Sequence, residues 1–266
     1  ILSMVERDDD RTGIFTTGML SIAADNKIVL FRTGRNHAGE NMADLLGQRD
    51  PRAAPPIQMC DGLSRNTPEE FEIILGNCLA HARRNFVDVA ENFPEECTYV
   101  IETLAGVYKN DKTAYEEEKT PPLRLQYHQA NSGPLMQQLH EWMTEQMESR
   151  KVEPNSGLGK AISYMLKHWG PLTLFLRVKG APLDNNICEQ ALKRAILHRK
   201  NSLFYKTLRG AQVGDIFMSL IHTCTLARVN PFDYLVALQK HAQDVLNSPQ
   251  NWLPWNYKKT LSFLAA

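Results

Sequence analysis

Apolar and polar positions follow two rhythms along the chain. In the first 34 residues, short apolar runs alternate with polar turns: ILSMV, then ERDDDRTG, then IFTTGMLSIA, then AADN, then KIVLFRTG. Runs rich in Ile, Val, Phe and Thr between turn clusters predict three antiparallel strands joined as a meander. HAGENMADLLGQRD then places Met42, Leu45 and Leu46 at helical spacing and stops before Pro51, which predicts a helix. His37 and Glu40 at its start read as capping residues. PPIQMCDGL predicts a short strand that stops at Asp61. TPEEFEIIL offers Thr67 as N-cap, Pro68 at the first helical position and Glu70 three residues after the threonine, a capping box that predicts a helix. NCLAHARRNF reads as a short strand running into a helix.

From about residue 86 to 170 the rhythm becomes helical, with apolar residues three and four apart in CTYVIETLAGVYKN and GPLMQQLHEWMTEQMESR. KNDKTAYEEEKTPP between them reads as an exposed linker, and LTLFLRV as a strand or a helix end. LDNNICEQALKRAILHRKN, GDIFMSLIHTCTLARV and PFDYLVALQKHAQDVL predict three further helices. The expected fold is α/β: three antiparallel strands, then alternating helices and strands in a mixed sheet, with a large helical insertion and a helical C-terminal region. That order is ribonuclease H-like. It divides the chain into a first core part (1–90), a helical insertion (91–170), a core completion (171–230) and a C-terminal helical tail (231–266).

Composition narrows the function classes. The 266 residues balance 30 Lys+Arg against 30 Asp+Glu, so a polyanionic partner needs a local basic patch rather than a global field. Five scattered cysteines with no CxxC fit a reducing compartment, and the expected location is the cytoplasm. No apolar run of about 18 residues is present, so no membrane helix and no membrane partner are expected. The chain opens on Ile1 inside an apolar run with no basic segment before it, which reads as a piece cut from something longer.

Two acids stand out. Asp61 ends a strand expected at the sheet centre, where open α/β sheets place ligand-binding residues, although an Asp-Gly pair also starts turns. Glu189 lies in the first turn of the DNNICEQALKR helix, where it is either a cap partner of Asn186 or a carboxylate for a hard cation such as Mg²⁺. No acidic residue occurs from Gln190 to Gly214, while Lys193, Arg194, Arg199, Lys200, Lys206 and Arg209 are basic. Glu189, Lys193 and Lys200 fall on one side of a helix, which would set a carboxylate beside phosphate-binding cations. Arg83 and Arg84 are further candidate phosphate contacts, and Phe204 and Tyr205 could stack on an unpaired base. Cys78 and His81 have a C-x₂-H spacing but no partner pair for zinc. Asp8, Asp9 and Asp10 read as a solvated turn.

Seven stretches together resemble one family: RTGIFTTG, FRTGRNHAGEN, IQMCDGLSRN, NCLAHARRNF, EPNSGLGKAISYMLKHW, GAPLDNNICEQALKRAILHRKNSLFYKT and PWNYKKTL. The chain is similar over nearly its whole length to the insertion-sequence 66 family of bacterial transposases. The resemblance implies a ribonuclease H-like core with a DDE triad, two Mg²⁺ ions, and in-line cleavage and strand transfer of element DNA. Asp61 matches the second acid and Glu189 the third. The first acid belongs to a strand upstream of Ile1, so the two-metal site is expected to be incomplete and this chain inactive or very weak. Gln190 departs from the family pattern, which favours Arg there. Members of this type generally act as multimers, so a homo-oligomer is expected. The competing expectations are a catalytically dead DNA-binding remnant and a ribonuclease H-like nuclease.

Overall fold

The computed structural model describes residues 14–23, 26–201 and 205–264. In chain order the elements are β1 (Phe15–Ala23), β2 (Asn26–Gly34), α1 (Ala38–Leu46), β3 (Ile57–Cys60), β4 (Ile74–Asn77), α2 (Leu79–Val87), α3 (Pro94–Glu116), α4 (Pro121–Asn131), α5 (Gly133–Glu148), α6 (Gly157–Lys167), α7 (Trp169–Leu172), α8 (Asn186–Asn201), α9 (Leu208–Leu226), α10 (Pro231–Lys240), α11 (Ala242–Asn247) and α12 (Tyr257–Leu264). The chain is α/β and mostly helical. It divides into two compact units, one made by the chain up to Gly47 with the chain from Asn186 onward, the other by Gln48–Asn185.

In the first unit β1 and β2 form an antiparallel hairpin, with Phe15 opposite Gly34 and Ala23 opposite Asn26. Helix α8 packs on β1, and Val29, Phe31 and Ala191 are the buried centre of that contact. Helix α9 runs along β2 in a less usual way. Its Thr223 Oγ1, Ser219 Oγ and Asp215 Oδ2 accept from the main-chain N–H groups of Val29 (3.1 Å), Phe31 (2.9 Å) and Thr33 (2.5 Å). Three polar side chains at i, i+4 and i+8 thus take the amides that another strand would otherwise take. A separate cluster of Cys224, Tyr234, Ala237, Trp252 and Tyr257 joins α9 to the C-terminal helices, and Tyr234 donates its hydroxyl to the Trp252 carbonyl at 2.7 Å.

The second unit pairs β3 and β4 in parallel, with Ile57 opposite Ile74 and Cys60 opposite Asn77. Its core is apolar and helical: Leu79 and Phe86 of α2, Val100 and Leu104 of α3, Met136 and Leu139 of α5, and Leu158 and Ile162 of α6 are all buried. A polar tie links α3, α4 and the start of α5. Asp111 accepts from Arg124 Nε and His128 Nε2, both at 3.0 Å, and the other ring nitrogen of His128 lies 3.0 Å from Ser132 Oγ. The order Ser, His, Asp is that of a nucleophilic site, but Ser132 and His128 are buried. With no substrate access the cluster is a structural tie.

Several expectations are met. The strands over IFTTGMLSIA and KIVLFRTG, the helix after His37, and the strand ending before Asp61 all form. The cap at α1 is reciprocal, and the His37 N–H donates to Glu40 Oε2 at 2.6 Å. Others are corrected. The described residues hold two sheets of two strands each rather than one mixed sheet. The expected first strand and Asp8–Asp10 lie outside the described residues. TPEEFEIIL is not a helix. Thr67 Oγ1 donates backward to the Ser64 carbonyl at 2.7 Å, closing a short 3₁₀ turn, and Ile74–Asn77 pairs as strand β4. Strand pairing of β-branched Ile74 outweighs a local capping signal. The linker expected over KNDKTAYEEEKTPP is mostly the last turns of α3, whose Ala114 is buried while Lys112 and Glu116 pair on the solvent side at 3.6 Å. Only residues 117–120 break it, just before Pro121. LTLFLRV contains a 3₁₀ turn over Leu174–Leu176.

Candidate functional site

Asp61 follows the last residue of β3, at the carboxyl end of the parallel β3–β4 pair. Its side chain is half-buried and held through one oxygen. Oδ1 accepts from Asn66 Nδ2 at 2.5 Å and from the Leu63 N–H at 3.2 Å. The second of these closes a turn of the Asx type, so the Asp-Gly pair does begin a turn. Among the described residues no hydrogen bond falls on Oδ2. Asn66 is itself fixed, because Gln58 of β3 donates Nε2 to the Asn66 carbonyl at 2.6 Å. Gly62 has φ +82°, a conformation side-chain-bearing residues rarely adopt.

The main chain at Asp61 is gripped from the helical layer. Tyr164 of α6 donates its hydroxyl to the Asp61 carbonyl at 3.1 Å. Four residues on, at the end of the same helix, His168 Nδ1 lies 3.2 Å from Nδ2 of buried Asn77, the last residue of β4. The Tyr164 and His168 rings sit 4.7 Å apart. Burial, with a smaller contribution from Lys167, lowers the pKa of His168, which suits a neutral ring that accepts from the Asn77 amide. Burial, and then the Asp61 charge, raise the Tyr164 pKa, so the phenol stays a donor at neutral pH. Asn77 Oδ1 is buried with no hydrogen-bond partner.

Glu189 stands in the first turn of α8, in the other unit, and is half-buried. Its neighbour Cys188 donates Sγ to the Gly18 carbonyl of β1 at 3.3 Å, which fixes the rotation of the helix. Burial and then the Glu189 charge push the Cys188 thiol up to about 11, so it remains protonated. Beyond Glu189, Lys193, Arg194 and Lys200 are exposed along α8, and Lys206 and Arg209 are exposed after it. Arg199 differs: Nη1 donates to Thr16 Oγ1 of β1 at 2.6 Å, so this guanidinium is committed to the fold. Tyr205 packs on α9 so closely that a Cβ at Gly214 would lie 2.0 Å from its hydroxyl. That contact binds it to the fold rather than leaving its ring open, and Phe204 lies outside the described residues. In α2, Arg84 is exposed and Arg83 half-buried. Cys78 is buried at the α2 N-cap, where burial raises its pKa.

Sequence reasoning singled out the two acids and the basic run as candidates. It missed Asn66, Asn77, Tyr164 and His168. The available signal was a Tyr and a His four apart on one helix face, and an Asn five residues after the Asp. A hard divalent cation fits the oxygen chemistry of Asp61, whose carboxylate is oriented through one oxygen only. No helix among the described residues is long and apolar enough to cross a membrane.

The family model described as Transposase IS66 family matches residues 8–213. Two relatives are uncharacterized proteins of Sinorhizobium fredii (strain NBRC 101917 / NGR234). One, y4jD, is 31% identical over 201 residues, covering 74% of this chain and 38% of its own. The other, y4hP, is 31% identical over 194 residues, covering 68% and 35%. The chain therefore spans little more than a third of the length of these relatives. No solved structure matches it significantly. With most of its length inside that family model, and with both candidate acids and the basic run inside the matched span, the chain belongs to the IS66 family of transposases.

Proposed function

We propose that this chain is catalytic-region sequence of a DNA transposase, with a ribonuclease H-like arrangement in which Asp61 and Glu189 are metal-binding carboxylates. The carrying observation is α8. One helix bears a half-buried Glu in its first turn and exposed Lys193, Arg194 and Lys200 beyond it. A carboxylate followed by cations on one helix suits a site that holds a divalent ion and grips a phosphodiester backbone. The placement of Asp61 at the carboxyl end of a parallel strand pair supports the second ligand. When bound, Mg²⁺ activates a water and neutralises charge on the scissile phosphate.

The residues of the chain divide the remaining work. Asn66 and the Leu63 amide aim the Asp61 carboxylate through Oδ1. Lys193, Arg194, Lys200, Lys206, Arg209 and Arg84 supply phosphate contacts. Arg83 contributes from a more buried position, and Arg199 acts on the β1–α8 contact. The expected substrate is element DNA and its target, handled by more than one copy of the protein.

Fluorescence anisotropy with a duplex oligonucleotide tests the reading. The chain should bind DNA with strong salt dependence. Lys193→Glu with Lys200→Glu should weaken binding at least about ten-fold and make the slope of log affinity against log salt shallower by about 2. Asp61→Asn should leave DNA binding intact while removing Mn²⁺ binding. A chain with no affinity for DNA at low salt, or one indifferent to the double charge reversal, would overturn it.

A further inference from the structure

We infer that Tyr164 is a positioning residue for Asp61, set on a helix of the inserted layer to lock the peptide that follows the metal-binding carboxylate. The inference rests on the reading of Asp61 as a metal ligand and extends it to a residue outside the acidic set.

The argument begins with what can still move. The Asp61 side chain is fixed by two hydrogen bonds to Oδ1. Its main chain is fixed on the strand side, where the Cys78 N–H donates to the Cys60 carbonyl at 2.8 Å. The soft coordinate left is rotation of the peptide unit between Asp61 and Gly62. Glycine makes that rotation inexpensive, because Gly62 at φ +82° can exchange for a negative φ with no side chain to hinder it. Such a flip would turn the Asp61 carbonyl away and change the backbone angles on either side of it, so that the Asx turn closed by the Leu63 N–H no longer aims the carboxylate.

Tyr164 closes this coordinate. Its hydroxyl bonds the Asp61 carbonyl itself at 3.1 Å. A Cβ built on Gly62 would lie 3.0 Å from that hydroxyl and 3.1 Å from Asn77 Nδ2, so the flat face of the turn rests against both groups. Asn77 is braced in turn by His168, one helical turn beyond Tyr164. One face of α6 therefore grips the carboxyl end of the parallel strand pair at two points, the turn after β3 and the last residue of β4. A general packing role would need only the ring; the hydroxyl is needed for the carbonyl.

Electron paramagnetic resonance of free Mn²⁺ tests this on the 266-residue chain, with thermal unfolding followed in parallel. Asp61→Asn should remove the Mn²⁺-binding component. Tyr164→Phe keeps the ring and should weaken Mn²⁺ binding about five-fold, as expected for loss of one hydrogen bond, while the thermal midpoint moves by no more than about 3 °C. Unchanged Mn²⁺ affinity in Tyr164→Phe, with the loss in Asp61→Asn intact, would overturn the inference and leave the ligand reading standing. Unchanged Mn²⁺ binding in Asp61→Asn would instead remove the ligand reading. A Tyr164→Phe chain without cooperative unfolding would assign the hydroxyl to folding and also overturn the inference.

Discussion

The helices of the 48–185 unit bury apolar surface, whereas helix α9 of the other unit buries a polar stripe beside its apolar one. In the first, α2, α3, α5 and α6 turn Leu, Val, Met and Phe toward one another. In the second, α9 turns Asp215, Ser219 and Thr223 toward the free edge of β2 and leaves Val213, Ile216 and Phe217 exposed. Both solutions satisfy the same rule, that buried groups need partners suited to them. Apolar faces need area, whereas a strand edge needs acceptors for its amides. The lesson is that helical periodicity locates a helix without saying which face points inward when the neighbour is an open strand.

The largest effect should come from the apolar unit. Phe86 is completely buried, and Phe86→Ala should cost about 4 kcal/mol from lost burial and the cavity left behind. Urea unfolding of the two chains measures it. A loss below about 1 kcal/mol would mean that this core can collapse around the gap and is less tightly packed than its burial implies.

On the α9 side the corresponding change is Asp215→Ala. It leaves the Thr33 N–H without its acceptor and takes one of two partners from the Thr33 hydroxyl, the other being Thr16 Oγ1 at 3.0 Å. The expected loss is about 2 kcal/mol, with about 1 kcal/mol for Ser219→Ala, whose hydroxyl takes the Phe31 N–H. Hydrogen exchange read at Phe31 and Thr33 provides the check. If those amides stay protected in both variants, the edge is covered by something other than these side chains.

This contrast also explains what could be read from the sequence. The strands and the cap at His37 were legible because their signals are local. So was the placement of Asp61 just past a strand and of Glu189 in a first helical turn. The Thr67 box misled because its threonine serves a 3₁₀ turn and the residues after it are held by pairing with β3, a partner ten or more residues away. The charged run over 109–116 misled because one buried alanine per two turns is enough to seat a helix on a core. Tyr164 and Asn66 were hidden for a different reason. Each acts on Asp61 through a single polar atom: Asn66 sits only five positions on and reads as any turn residue, while spacing carries no trace of the contact with Tyr164, about a hundred positions away.

Acid should separate the two units. Burial holds the Asp215 carboxyl above the ordinary value of 3.8, despite hydrogen bonds from Thr33. Burial acts in the same direction on Asp111, but the bonds from His128 and Arg124 outweigh it and hold that carboxyl below 3.8. A folded state that binds its proton more tightly than the unfolded chain is favoured at low pH, so the Asp215 contribution is fully present below 3.8 and is lost as pH rises through the raised value. The Asp111 contribution is present above 3.8 and is lost as pH falls through the lowered value. Acidification below the ordinary carboxylate range should therefore loosen the α3–α4 tie while sparing the α9–β2 edge. Hydrogen exchange across that range, compared with Asp111→Asn, reads both. Equal loosening of the two sites would break the contrast.

The smallest effect should come from the outward face of α9. Ile216 is 60% exposed. If the inward face of α9 is the polar one, Ile216→Gln changes only contact with water. Its stability should stay within about 0.5 kcal/mol of the starting chain, even though the same swap on an inward apolar face would be severe. Ile162→Gln in α6, where the side chain is completely buried, is the matched control and should lose several kcal/mol, on the order of the cost of burying an unpartnered amide. Urea midpoints for the pair measure the orientation of each helix directly. A loss at Ile216 comparable to that at Ile162 would mean that the Ile216 face of α9 is buried after all, and that the three polar contacts to β2 do not set which side of the helix points inward.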